Sequence, residues 1–171
     1  MRHTACRRLF PLFLALCLFS VPSFAQQRGP STPDERARAI QVANRHAEDP
    51  LTKENRKERE WLLRWLIEVP DITVHLCTSI LGPSALDDFK YSGELIAQVT
   101  FSQAAFVIQN PDKASDREAE YRAGLEGALK IYESILKLKP KARNAKLDEL
   151  LGKRDRGELA AHLKEAMAGC K

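Results

Sequence analysis

Apolar residues recur along this chain at helical spacing, in blocks closed by proline or glycine. The first block is "TPDERARAIQVANRHAEDP". Thr32 suits an N-cap, Pro33 the first helical position, and Asp34 and Glu35 the positive end of the helix dipole. Its apolar stripe is thin, with Ile40 as main anchor and Ala37, Val42 and Ala43 beside it. The pattern predicts a peripheral helix, ended by Asp49-Pro50, with His46 in solvent near its end. The second block is "LTKENRKEREWLLRWLIEVP". Thr52 caps it, with Asn55 where a capping box prefers Glu or Gln. Its first half is charged; Trp61 to Ile67 is apolar apart from Arg64. Trp61 and Trp65 share one face with Leu62, Leu66 and Val69 nearby, and Pro70 stops the helix.

Residues 71–81 are ambiguous. Ile72, Val74 and Leu76 alternate with Thr73, His75 and Cys77, which suits a strand, yet the chain offers no partner strand. The neighbouring pattern favours a short helix capped by Asp71 and closed by Gly82-Pro83. From Leu86 to Gln109 the chain reads as one helix, with Asp87-Asp88 at its start. Leu95, Ile96, Val99, Phe106 and Val107 form one face, while Phe101, Ala104, Ala105 and Ile108 cover much of the other. Apolar on both sides, it is predicted to be central, with Gln98 and Gln103 in need of partners.

Ser115 and Glu118 form a capping box for the next helix, whose stripe is Tyr121, Leu125, Ala128, Leu129, Tyr132 and Ile135. Gly124 and Gly127 each cost about 1 kcal/mol of helix propensity relative to Ala, but admit a close neighbour. Pro140 ends the helix. Two short helices follow, one served by Leu147, Leu150 and Leu151, the other by Leu159, Leu163 and Met167, hinged near Gly152 to Gly157. With Ala128, Tyr132, Pro140 and Gly157 at these positions, about 40 residues resemble a tetratricopeptide-repeat boundary. The signature opening of such a repeat is missing, and no 34-residue period precedes it, so the resemblance implies a helical hairpin and no family membership. The fold class expected is all-α: a compact irregular bundle of about five to seven helices.

The amino terminus changes the charge balance. Arg2, Arg7 and Arg8 precede an uncharged run of about 13 residues, and Ser23-Phe24-Ala25 follows with small residues where a signal peptidase reads. The run is too short for a membrane span of about 20 residues. Residues 1–25 are therefore expected to be a removed secretory signal, 26–32 a flexible start, and 33–171 a single helical domain in an exported protein, periplasmic in a Gram-negative cell. Of 27 basic and 23 acidic residues, the signal takes three arginines and no acid, leaving 24 against 23. A nucleic-acid role loses its electrostatic basis, and no later stretch is apolar for long enough to span a membrane.

Cys6 and Cys17 would leave with the signal. Cys77 and Cys170 remain, and in an oxidising compartment an even pair reads as a disulfide. It would join a central segment to the chain end, closing a loop of about 94 residues, for which chain entropy sets a ceiling of ~4–5 kcal/mol. The alternative is zinc held by Cys77 and Cys170 with His75 and His162, at spacings that match no compact zinc motif.

No hydrolase elbow, zinc-protease helix, phosphate loop or calcium loop occurs. No catalytic, cofactor or metal residues are assigned. The expected function is a non-enzymatic one: binding another protein, as envelope chaperones and immunity proteins do, with the oligomeric state left open. The alternatives are a carrier of a small apolar ligand, with a surface or pocket at Trp61, Trp65, Phe101, Phe106 and His75, or an enzyme with a site near His75 and Asp71. The cluster Lys137, Lys139, Lys141 and Arg143 suits a helix C-terminus, and would also meet an acidic partner or an anionic envelope surface.

Overall fold

A computed structural model describes residues 28–170; the expected signal segment lies outside the described residues. Six α-helices follow in order: α1 (Pro33–Glu48), α2 (Lys53–Glu68), α3 (Ser92–Gln109), α4 (Arg117–Leu138), α5 (Ala145–Asp155) and α6 (Leu159–Ala166). Single 3₁₀ turns lie at Thr78–Leu81, Pro111–Lys113 and Met167–Gly169, and no strand forms among the described residues.

The apolar character of α3 on both sides is explained by what it touches. Leu95 and Val99 belong to a core with α4, α5, α6 and the 77–89 segment. Ala97, Phe101, Ala104 and Val107 belong to a second core with α1, α2 and residues 69–72. The helix is thus the partition between two apolar clusters, and each of its faces is buried by a different one. On the second core, α1 buries Ala39, Val42, Ala43, His46 and Ala47, at the i, i+3, i+4, i+7, i+8 spacing of one helical face. Ile40 is only half-buried and Ala37 is exposed, so alanines rather than the expected isoleucine make this interface.

Helix α4 lies so close to α3 that a Cβ at Gly127 would fall 1.9 Å from Ser102 Oγ and 2.6 Å from its Cβ. At Gly124 the corresponding contacts are 3.1 Å, to Gln103 Cγ and Val99 Cγ1. These two glycines are the reason two buried helices can meet face to face.

Cys77 and Cys170 form the disulfide, with Cα atoms 5.5 Å apart across 93 positions of sequence. It pins the 3₁₀ turn that follows α6 to the segment entering Thr78–Leu81, and both cysteines pack on the first core. With the thiols joined to each other, the zinc alternative loses its two thiolate ligands.

Four local expectations are corrected. Residues 71–77 form no helix: they run extended, and only Thr78–Leu81 coils, closed by Gly82 at φ +85°. In place of a strand partner, the His75 N–H donates to Glu120 Oε1 at 2.6 Å and the His75 carbonyl accepts from Gln103 Nε2 at 3.0 Å. Side chains of α4 and α3 thus satisfy an extended backbone that has no ladder. Helix α3 starts at Ser92 rather than Leu86, because Ser84 (φ 59°) and Asp88 (φ 55°) leave the helical region and 82–92 proceeds by successive turns. The cap of α4 is Asp116, accepting from Ala119 N at 3.0 Å, one residue after the expected Ser115; the turn from Lys113 to Asp116 delays the helix by that residue. His46 is buried, for reasons given below. The Thr32 capping box with Glu35 forms as expected, and Thr52 caps α2 through Asn55 N.

Part of the expected flexible start is tied down. Ser31 donates through N–H and hydroxyl to the Asp71 carboxylate, each at 2.8 Å, and Arg36 reaches the same group at 2.7 Å. Desolvation alone would raise the Asp71 carboxyl, but these donors outweigh it and hold the pKa at about 2.

The close approach at Gly127 yields a test. Gly127→Ala gains about 1 kcal/mol of helix propensity but forces α3 and α4 apart or Ser102 off its rotamer, so a net loss of about 1–3 kcal/mol is expected. Urea unfolding should show a lower midpoint at unchanged slope; a higher midpoint would mean the helices are not in this contact.

Candidate functional site

Among the described residues, polar chemistry gathers in the interior beside α3, at the His75 strap and in two surface grooves.

Inside, Gln98 Nε2 donates to the Ala43 carbonyl (3.2 Å) and to Ser102 Oγ (2.9 Å), leaving Gln98 Oε1 to accept from His46 Nδ1 at 2.7 Å. The His46 proton is therefore on Nδ1. The ring stands edge-on to Phe101 at 5.3 Å, and its Nε2 has no hydrogen-bond partner among the described residues. Burial pushes the His46 pKa down, against the opposing effect of the Gln98 bond, and keeps the ring neutral. The expected solvated position failed because the ring falls in register with the alanine face of α1 rather than with its polar side.

At the strap, Glu120 is 1% exposed and is held by both nitrogens that His75 offers it: the backbone N–H and ring Nδ1, the latter at 2.9 Å. His75 itself is about a third exposed, and its Nε2 makes no hydrogen bond among the described residues. Gln103 completes the cluster, and its buried Oε1 has no hydrogen-bond partner among the described residues. Asp71, expected beside His75, instead faces Ser31 and Arg36. Glu120 was missed in sequence. Its signal was the face Glu120, Gly124, Gly127, Ile131 and Ser134, a second stripe of small or buried residues on α4 into which a carboxylate is written.

Trp61, Trp65, Phe101 and Phe106 do come together, as packing. Trp65 and Phe101 are core residues of one cluster, and Trp61 and Phe106 pack against that cluster. Trp61 stacks on Trp65 at 5.9 Å, while Arg38 covers its ring at 3.8 Å and reaches on to Glu58. His75 is not part of this group, and both grooves described below lie elsewhere.

The larger groove, about 720 Å³, runs between α5 and α6 above residues 78–87, next to the disulfide end. Its charges alternate: Lys146, Glu149 and Lys153 on α5 face Glu165 and His162 on α6. His162 is engaged in structure, with Nε2 donating to the Ile80 carbonyl at 2.9 Å.

The second groove, about 590 Å³, lies between residues 88–91 and the 138–143 turn after α4. Lys90 and Tyr91 form one rim; Leu138, Lys139, Lys141 and Arg143 form the other. Asp87 and Asp88, adjacent in sequence, are separated here, one lining each groove. A network behind the turn holds the rims together. The Tyr132 hydroxyl donates to Asp148 Oδ1 at 2.9 Å and accepts from Asn144 N at 2.8 Å. Burial raises the Tyr132 pKa, with the Asp148 contact adding to it. Asn144 caps α5 through Oδ1, and its Nδ2 donates to the Ala85 carbonyl at 3.1 Å, tying the turn to the opposite segment. Phe89 packs edge-on to Tyr132 at 5.9 Å, giving a second tie. Lys90 could not be assigned to this site from sequence, since it meets the 138–143 turn only through the fold.

Among the described residues, no group of three or more His, Cys, Asp or Glu side chains is arranged to hold a metal ion, and no helix is long and apolar enough to cross a membrane. Set against family models, curated proteins and solved structures, the chain matches none.

His46 gives a pH dependence. Unfolded, the ring titrates near 6.5; folded, its pKa is lower. The stability it contributes is complete above about 6.5 and declines as pH falls through the folded value. Thermal unfolding from about pH 7 to about pH 5 should show stability falling in the native chain and falling less in His46→Gln; equal pH profiles would contradict a buried neutral ring.

Proposed function

We propose that this chain is an exported, non-enzymatic helical protein that binds another protein of the cell envelope, in the manner of a chaperone or immunity protein. The observation that carries the reading is the 88–91/138–143 groove. Its rims are fixed before any partner arrives, by Asn144 to Ala85 and by Tyr132 to Asn144 and Asp148. Leu138 is 50% exposed on one rim, an apolar side chain left on a surface otherwise rich in lysine. Preorganised surfaces lose less entropy on binding, and a half-exposed aliphatic residue in a concave, charged frame suits a protein contact. Export supports the same reading: the N-terminal pattern is that of a secretory signal, and the disulfide is a bond that persists in oxidising compartments. The apolar-carrier alternative is not favoured, because Trp65 and Phe101 are buried in one core cluster and line neither groove.

A photo-reactive amino acid placed at Leu138 in the producing cells tests the reading. A discrete protein adduct is expected from position 138 and none from Arg122, an exposed residue of α4 that lines neither groove. Equal adducts from both positions, or none from 138, would count against it.

One observation favours a second reading. A partly exposed imidazole whose Nδ1 meets a buried carboxyl group, and whose Nε2 makes no hydrogen bond among the described residues, is the arrangement of a general base. If the chain is an enzyme, His75→Gln should lower the activity at least 100-fold while the thermal midpoint moves little. Unchanged activity in that variant dismisses this site.

A further inference from the structure

The basic groove has a chemistry more specific than partner binding in general, and the argument rests on the reading above. Lysines at 137, 139 and 141 have an ordinary explanation: cations are favourable at the C-terminal end of α4. Lys90 does not share it. It comes from the 82–92 turns, which end no helix, and it stands on the opposite rim. The segment carrying it is drawn to this place by two contacts at its neighbours, the Asn144 bond to Ala85 and the packing of Phe89 on Tyr132. Cations from two distant parts of the chain thus converge on one cleft.

Four cations line the groove against one acid, Asp88. Arg143 is partly answered by Asp148 at 3.1 Å. Lys90, Lys139 and Lys141 make no ion pair among the described residues; Lys90 has only the Tyr91 ring, at 5.8 Å. This positive field is local, because residues 26–171 carry 24 basic and 23 acidic side chains. Within it lie apolar contacts: Tyr91 on one side and the half-exposed Leu138 on the other.

The geometry points to an acidic polypeptide segment carrying an apolar side chain as the occupant of this groove, its carboxylates meeting Lys90, Lys139 and Lys141 and its apolar residue meeting Leu138 and Tyr91. A cleft with opposed rims takes a chain between them, whereas a membrane surface would touch only the rim tips. A nucleic acid would call for a longer basic stripe on a more basic domain. Opposed charge also speeds encounter.

The test uses a fluorescein-labelled peptide of alternating Asp and Leu, its Asn-for-Asp counterpart, and vesicles of phosphatidylglycerol. Binding of the full mature chain is read by anisotropy and by vesicle co-sedimentation. The acidic peptide is expected to bind at least tenfold tighter than its neutral counterpart, and to weaken as salt rises. Lys90→Glu combined with Lys141→Glu should weaken it at least tenfold, while Lys57→Glu on α2 leaves it unchanged. All three residues are exposed, so the fold should be kept, as unfolding temperature will check. Equal affinity for the neutral peptide, indifference to Lys90→Glu with Lys141→Glu, or binding to vesicles without binding to the peptide would each overturn the proposal. The cross-link from position 138 separates two failures. If it persists in the double charge reversal, the groove binds a protein by other chemistry; if the native chain gives none, the partner-binding reading itself fails.

Discussion

The contact between α3 and α4 is the constraint on which the rest of the structure depends. Two helices that are each buried on more than one side can meet only if one gives up its side chains along the seam, and α4 does so at Gly124 and Gly127. The cost in helix propensity is set against a partition that organises both apolar clusters. From that seam, α1 and α2 close one cluster, while α5, α6 and the disulfide-tethered chain end close the other. The same seam places the polar groups. Gln98 and Ser102 on α3 find His46 and each other; Gln103 and Glu120, one on each helix, reach out to hold the strap at His75.

Those polar groups are spent largely on structure. Glu120 is an example of a buried acidic side chain tolerated because the backbone N–H and the ring Nδ1 of one residue both meet it, so that each of its oxygens has a partner. Buried networks of this kind tend to fix a unique packing, and here they fix the course of a segment that has neither helix nor ladder to guide it. The disulfide then continues the work of the strap: Cys77 follows His75 by two residues, so the chain end is anchored to a segment that is itself anchored to α3 and α4. On the outside, the 88–91/138–143 groove has walls made of turns, braced by Asn144 and Tyr132.

The fold was legible in the sequence wherever the signal was local or periodic. The all-α class, the centrality of α3, the close-approach glycines, the caps of α1 and α2 and the pairing of Cys77 with Cys170 all follow from spacing, turn residues or cysteine count. The misreadings have a common physical origin in contacts between distant segments. Residues 71–77 alternated like a strand and lacked a strand partner; their real partners are two side chains more than 25 positions away. His46 looked solvent-facing because its stripe was thin, and alanines made the interface instead. The 82–92 turns looked helical because nothing in their composition announces positive φ at Ser84 and Asp88. Of the candidate site, the lysines after α4 were visible as a cluster, whereas Lys90, Tyr91 and the Asn144 brace join them only through tertiary folding.

Central to this account is a groove built in advance of its partner. Native-state hydrogen exchange at the Asn144 amide, which donates to the Tyr132 hydroxyl, addresses that claim directly. The account predicts that this amide, although it lies in a turn between helices, exchanges as slowly as the core amides of α4. Exchange at the rate of an open loop would show that the rims are not fixed, and would contradict a preformed site.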